Sequence, residues 1–236
     1  MRIILTVTLF FALAGALYAS EYATVNEILS WVQGVQNQII DMRADLRTEI
    51  TSNDDKLQKI VQTGKYLRKG SDVFRIDITN PKKQTTIFDK DNVYIIDPFS
   101  GRASKEVLTP MQAITRPGAD VMRYFKYFNL KVTREKDGKY LLLGTPKDDT
   151  FSISKLNFYI DQVLYVPVRI AVYDKNNSLL MLSSMEYKMI GNIPVMKNNS
   201  TIIKIPSGIL NIENAYDNIV INRGIPDTEF TPPSKI

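Results

Sequence analysis

The 236-residue chain contains no cysteine and no histidine. Without cysteine there is no disulfide, no thiol nucleophile and no thiol to carry the acyl groups of a bacterial lipid anchor. Without histidine the chain lacks the commonest general acid–base group and the commonest metal ligand, which removes His-based catalysis and the usual zinc sites. Catalytic sequence signatures are missing as well: there is no GxSxG, no Gly-rich phosphate loop and no His-Glu pair. Asp89-Lys90-Asp91-Asn92 starts like a calcium loop but lacks its Gly and its closing Glu, so it reads as a hairpin turn. Neither sign of charge dominates: 30 Lys and Arg against 25 Asp and Glu leave +5. That is without the dense basic stripe of a nucleic-acid binder. The sequence thus leads us to expect no catalytic residue, no metal, no cofactor and no nucleic acid.

What is present begins with an export pattern. Arg2 precedes an apolar run from Ile3 to Leu17, and Leu17-Tyr18-Ala19 offers a small residue for cleavage. The run is shorter than the roughly 20 apolar residues of a membrane span. Residues 1–19 therefore read as a signal peptide, and 20–236 as one soluble, exported domain without repeat, low-complexity tract or linker.

Thr24 to Ile40 predicts a helix. Glu27 stands three residues after Thr24, as a capping box requires, and Val25, Ile28, Val32, Val35 and Ile39 form one stripe. Met42 to Ile50 fits both a helical stripe and strict alternation, and strand is the better reading because Thr51 to Asp55 then makes a turn into Leu57 to Arg68. Val73 to Phe99 organises the rest. Phe74, Ile76 and Ile78 alternate with Arg75 and Asp77; Thr85 to Phe88 and Val93 to Asp97 follow across polar turns, as in an antiparallel meander. Lys105 to Phe128 breaks the pattern, with short helices expected around Met111 to Ile114 and from Asp120 to Phe128. Strands return at Leu130–Arg134, Tyr140–Gly144, Leu156–Ile160, Val166–Tyr173 and Leu179–Met189. Ile202–Ile205 and Asn218–Ile221 are weaker candidates, and Thr231-Pro232-Pro233 opens a frayed tail. The Asn-x-Ser/Thr triplets at Asn198 and Asn199 receive no functional weight. The expected fold class is α+β, mainly β. About ten or eleven strands form one curved antiparallel sheet whose apolar face is too wide to stay flat.

Gly64, Lys69, Phe74, Pro81, Asp89, Tyr94, Asp97, Pro98 and Phe99, in that order, resemble the core of the bacterial lipoprotein-carrier family, LolA, LolB and the outer-membrane lipoprotein-sorting proteins. Pro167-Val168-Arg169, Tyr173-Asp174, Gly191-Asn192-Ile193-Pro194 and Asp227 to Pro232 extend the resemblance. It implies an unclosed β-barrel with a helical lid over a hydrophobic cavity. It also implies a monomeric periplasmic carrier that buries the acyl chains of a lipoprotein or other lipid. Its partners would be an inner-membrane transporter and an outer-membrane acceptor. The alternative role is a lipid-sensing module that binds an envelope signalling partner. Phe74, Ile76, Ile78, Tyr94, Ile96, Met122, Phe125 and Phe128 are the expected lining, with plain core packing as the competing role of each. One departure stands out. The family's lid-latching Arg falls at Gly70, with Ser71 in place of the turn Pro. Either Arg68 or Lys69 substitutes, or the chain is a divergent branch with another cargo.

Overall fold

Thr24 opens the first helix by the device that its spacing predicts. In the computed structural model, which describes residues 23–54, 59–109, 112, 126–134, 137–149 and 151–233, helix α1 spans Val25–Asn37. The Thr24 amide donates to the Glu27 carboxylate at 2.7 Å, and the Glu27 amide donates to the Thr24 hydroxyl at 3.3 Å. The helix stops short of the expected Ile40 because Asn222 claims its exit. Asn222 Oδ1 accepts from the Ile40 amide, and Asn222 Nδ2 donates to the Gln38 carbonyl, both at 2.8 Å. The expected signal peptide lies outside the described residues. So do the expected helices at 111–114 and 120–128, apart from Gln112 and residues 126–128.

Strands make up most of the remaining described residues. They are β1 (Asp41–Ser52), β2 (Ile60–Lys69), β3 (Val73–Asn80), β4 (Gln84–Asp89), β5 (Asn92–Ile96), β6 (Ala103–Val107), β7 (Phe128–Arg134), β8 (Lys139–Pro146), β9 (Ile153–Asp161), β10 (Pro167–Asp174), β11 (Leu179–Ile190), β12 (Ile193–Ile205) and β13 (Gly208–Ile221). All thirteen join one sheet in the order β6-β5-β4-β3-β2-β1-β13-β12-β11-β10-β9-β8-β7. Every pairing is antiparallel, for example β1 with both β2 and β13. The sheet curves without closing into a barrel, leaving β6 and β7 as its two edges.

Three differences from the sequence reading concern the strands. The strand total exceeds the expected ten or eleven because β6 falls in a stretch read as broken. Ser104, Lys105 and Glu106 after Ala103 are exposed and polar or charged, as suits an edge. β12 and β13 are far longer than the expected Ile202–Ile205 and Asn218–Ile221. Phe128, expected at the end of a helix, begins β7 and pairs with Pro146.

The register assigns every side chain to one of two faces. On the inner face of the β7–β11 half, Ile28, Leu29 and Val32 of α1 pack on Phe128, Leu142, Leu156, Phe158 and their neighbours. The β1–β3 half has a second cluster on the same face, centred on Met42, Ala44, Leu46, Tyr66, Phe74 and Tyr216, with Ile39 from the α1–β1 connection. The outer face of β1–β3 is covered by the end of the chain. Ile225 and Phe230 bury Leu67 there. A 3₁₀ turn, Asp227–Phe230, lies on β3.

Candidate functional site

Cross-strand rows build the inner face. Arg68, Phe74, Phe88 and Val93 form one row, and Tyr66, Ile76, Thr86 and Ile95 the next. Phe74 stacks on Phe88 with ring centroids 4.3 Å apart and lies 6.1 Å from Tyr66. Phe74 is fully buried, whereas Ile76, Ile78 and Phe88 are half-buried. Among the described residues, α1 packs only on the other half of the sheet. The structure thus brings Phe74, Ile76 and Ile78 together. It places Phe128 on the same face but beneath α1, 1% exposed.

Tyr94 and Ile96 lie on the opposite face. Tyr94 shares a row with Leu67, Arg75 and Ile87, and Ile96 shares one with Asp77 and Thr85. These rows face the chain's end, where Arg75 Nη1 donates to the Glu229 carbonyl at 2.8 Å and pairs with Asp77. The Lys105 ammonium sits 5.7 Å from the centre of the Tyr94 ring. Met122 and Phe125 lie outside the described residues.

Of the two cations named as candidate substitutes for the lid latch, Lys69 faces outward and forms an ion pair with Asp227. Arg68 faces inward and donates to the Gly70 carbonyl. Among the described residues no carboxylate pairs with it.

The sequence reading missed a polar row in the middle of the inner face. Thr48, Asn214 and Asn199 are directly paired across β1, β13 and β12, and Thr201 and Ser183 are paired one step along. The Thr48 hydroxyl donates to Asn214 Oδ1 at 2.8 Å. Asn214 Nδ2 donates to Asn199 Oδ1 at 3.4 Å, and Asn199 Nδ2 to Ser183 Oγ at 2.8 Å. Thr201 Oγ1 donates to Asn199 Oδ1 at 3.2 Å and lies 3.0 Å from Ser183 Oγ. Thr48 and Ser183 are only 8% and 7% exposed. Apolar side chains flank the row: Leu46, Tyr216 and Tyr66 on one side, Met181, Ile170 and Phe158 on the other. Burial, with the Tyr66 phenol adding to it, pushes the Tyr216 hydroxyl above its ordinary pKa, so this part of the face carries a neutral phenol. One turn after Val32 on α1, Gln36 Oε1 is buried and has no hydrogen-bond partner among the described residues. The legible signal was the alternation of Asn199, Thr201 and Ile203, and of Ile212, Asn214 and Tyr216, which puts the polar groups in phase with the apolar ones.

The comparisons with known proteins agree with this architecture. The family model described as outer membrane lipoprotein carrier protein LolA matches residues 49–189. A LolA-superfamily protein from Nitrosomonas europaea is similar in structure at 16% identity, with 89% of this chain and 98% of that one covered and a TM-score of 0.65. A DUF1329-family protein from Desulfovibrio piger matches at 15% identity, covering 88% and 97%, with a TM-score of 0.67. A putative outer membrane lipoprotein-sorting protein domain from Vibrio parahaemolyticus matches at 14% identity, covering 86% and 94%, with a TM-score of 0.65. At these identities the likeness is one of fold. No curated protein sequence matches.

Proposed function

The chain belongs to the LolA family of outer membrane lipoprotein carrier proteins, and on that premise we propose that it is a soluble, non-enzymatic periplasmic carrier. Its cargo is a lipid-modified protein or a related acylated lipid, held by the hydrocarbon and passed toward the outer membrane. The observation that carries this reading is the inner face of β1–β4, where half-buried Ile76, Ile78 and Phe88 continue a fully buried aromatic cluster away from α1. Among the described residues no helix packs on this surface, whereas α1 packs on the β7–β11 half. Within the expected lining, Phe74, Ile76 and Ile78 would contact the chain directly, and Phe128 would serve the core under α1.

Binding and release follow from a small difference between two large terms. Burying an acyl chain of about 14 methylenes gains roughly 11 kcal/mol, at about 0.8 kcal/mol per CH₂. Insertion into a bilayer gains a similar amount, so the protein competes with a membrane on nearly equal terms. Transfer in either direction then needs only a modest bias.

The test is a release assay. Membranes bearing an acylated lipoprotein are incubated with the protein, and the soluble fraction is assayed for a complex of the two. The lipoprotein should appear there, and its non-acylated form should not bind. If nothing is released, and an organic extract of the purified protein contains no lipid, the carrier reading fails.

A further inference from the structure

The polar row of Thr48, Asn214, Asn199, Thr201 and Ser183 crosses the inner face between two apolar clusters, and its hydrogen-bond inventory is unbalanced. The Thr48 hydroxyl hydrogen goes to Asn214 Oδ1 and the Thr201 hydroxyl hydrogen to Asn199 Oδ1. With Thr201 donating in that direction, the hydroxyl hydrogen of the Ser183–Thr201 contact comes from Ser183. Every hydroxyl hydrogen is used inside the row, and both amide oxygens accept. Each asparagine carries two N–H donors. Asn214 spends one on Asn199 and Asn199 spends one on Ser183. Among the described residues one N–H on each asparagine is left over, on half-buried side chains of the inner face.

From this we infer that the row is the binding site for the linkage carbonyls of an acylated ligand, the ester or amide C=O groups at which its hydrocarbon chains begin. The inference rests on the carrier reading and adds to it where along the face the ligand is registered. Two spare donors and no spare hydroxyl hydrogen select an acceptor. The inward positions of these two rows, from Ile50 and Thr48 across to Ile170 and Met185, carry no charge. A phosphate or carboxylate would therefore be desolvated there without compensation. A neutral carbonyl meets both conditions, and the apolar clusters on either side offer tracks for chains leaving in two directions.

A matched pair of probes tests this: 1-dodecanoylglycerol, with an ester carbonyl, and 1-dodecylglycerol, its ether analogue. Their dissociation constants are measured by titration calorimetry, below micelle-forming concentrations, on the wild-type protein and on Asn199→Leu and Asn214→Leu. The wild type should bind the ester about tenfold more tightly, the size expected for one or two hydrogen bonds in an apolar setting. Each variant should lose most of that preference while its affinity for the ether stays the same. Equal wild-type affinity for the two probes, or equal weakening of both in the variants, overturns the inference and leaves the carrier reading intact. Failure of the wild type to bind either probe overturns both. The wild-type comparison decides the matter even where a variant does not fold.

Discussion

Single residues fix the geometry on which the inner face depends. Gly64 pairs with Ile78 beside a register shift between β2 and β3. A Cβ built there would lie 2.0 Å from the Asp77 carbonyl oxygen and 2.9 Å from Ile78 Cα, both backbone atoms. No side-chain rotation relieves such an overlap, so Gly64→Ala should cost about 2–4 kcal/mol. A urea titration should show a lower midpoint at an unchanged slope. The two faces of β3–β5 give a functional counterpart. Ile76 and Ile96 are both half-buried, but they lie on opposite faces. Ile76→Glu places a charge where the acyl chain would lie, and in the release assay it should lower lipoprotein yield at least tenfold. Ile96→Glu should retain most of the yield.

At the scale of elements, the chain's end is as much part of the fold as the strands. Asp41 Oδ1 and Oδ2 accept from the Arg223 and Gly224 amides at 3.1 and 3.0 Å, which turns the chain onto the outer face. Phe230, 7% exposed, then closes over Leu67 and Ile225. Phe230→Ala should lower stability by about 3–5 kcal/mol in the same urea titration. Binding of an acyl probe to the folded protein should be unchanged, because the inner face is not involved. How far these elements could be read from sequence varied with how well local pattern and global role agreed. The capping box at Thr24 and the meander around Phe74, Ile76 and Ile78 were legible because capping residues and alternation both pointed to the observed structure. β12 and β13 were under-read because Asn198, Asn199, Asn211 and Asn214 are poor strand formers. Two of those, Asn199 and Asn214, sit in strands because the inner face uses them, so the feature that hid the strands is the one that marks the polar row. The candidate lining was legible as apolar. Its division between faces was not, since the phase of β5 relative to β3 is set by the turns between them. A two-residue turn at Lys90 and Asp91, with Lys90 at φ 53°, fixes that phase for β4 and β5.

The whole molecule has a simple acid–base character. Among the described residues four carboxyls are held below their usual range: Glu27 by the Thr24 amide, Asp45 by Lys65, Glu49 by Lys59, and Asp97 by the Phe99 amide. A carboxyl depressed in the folded state adds stability that is complete above about pH 5 and is lost as pH falls through the folded values, below about pH 4. With no histidine to titrate, thermal unfolding temperatures should be level from about pH 6 to pH 8 and fall on acidification below about pH 4. A carrier of this design would therefore respond to membrane and cargo rather than to neutral-range pH. The central claim is that hydrocarbon occupies the inner face of the unclosed sheet. Photo-crosslinking with a palmitoylated peptide that bears a diazirine near the chain end, read out by mass spectrometry of the labelled peptides, tests it most directly. The account predicts labels concentrated on inner-face residues such as Phe74, Ile76, Ile78 and Phe88. Labels on the outer-face residues Tyr94, Ile96 and Ile209, or no labelling above that of a non-acylated peptide, would contradict it.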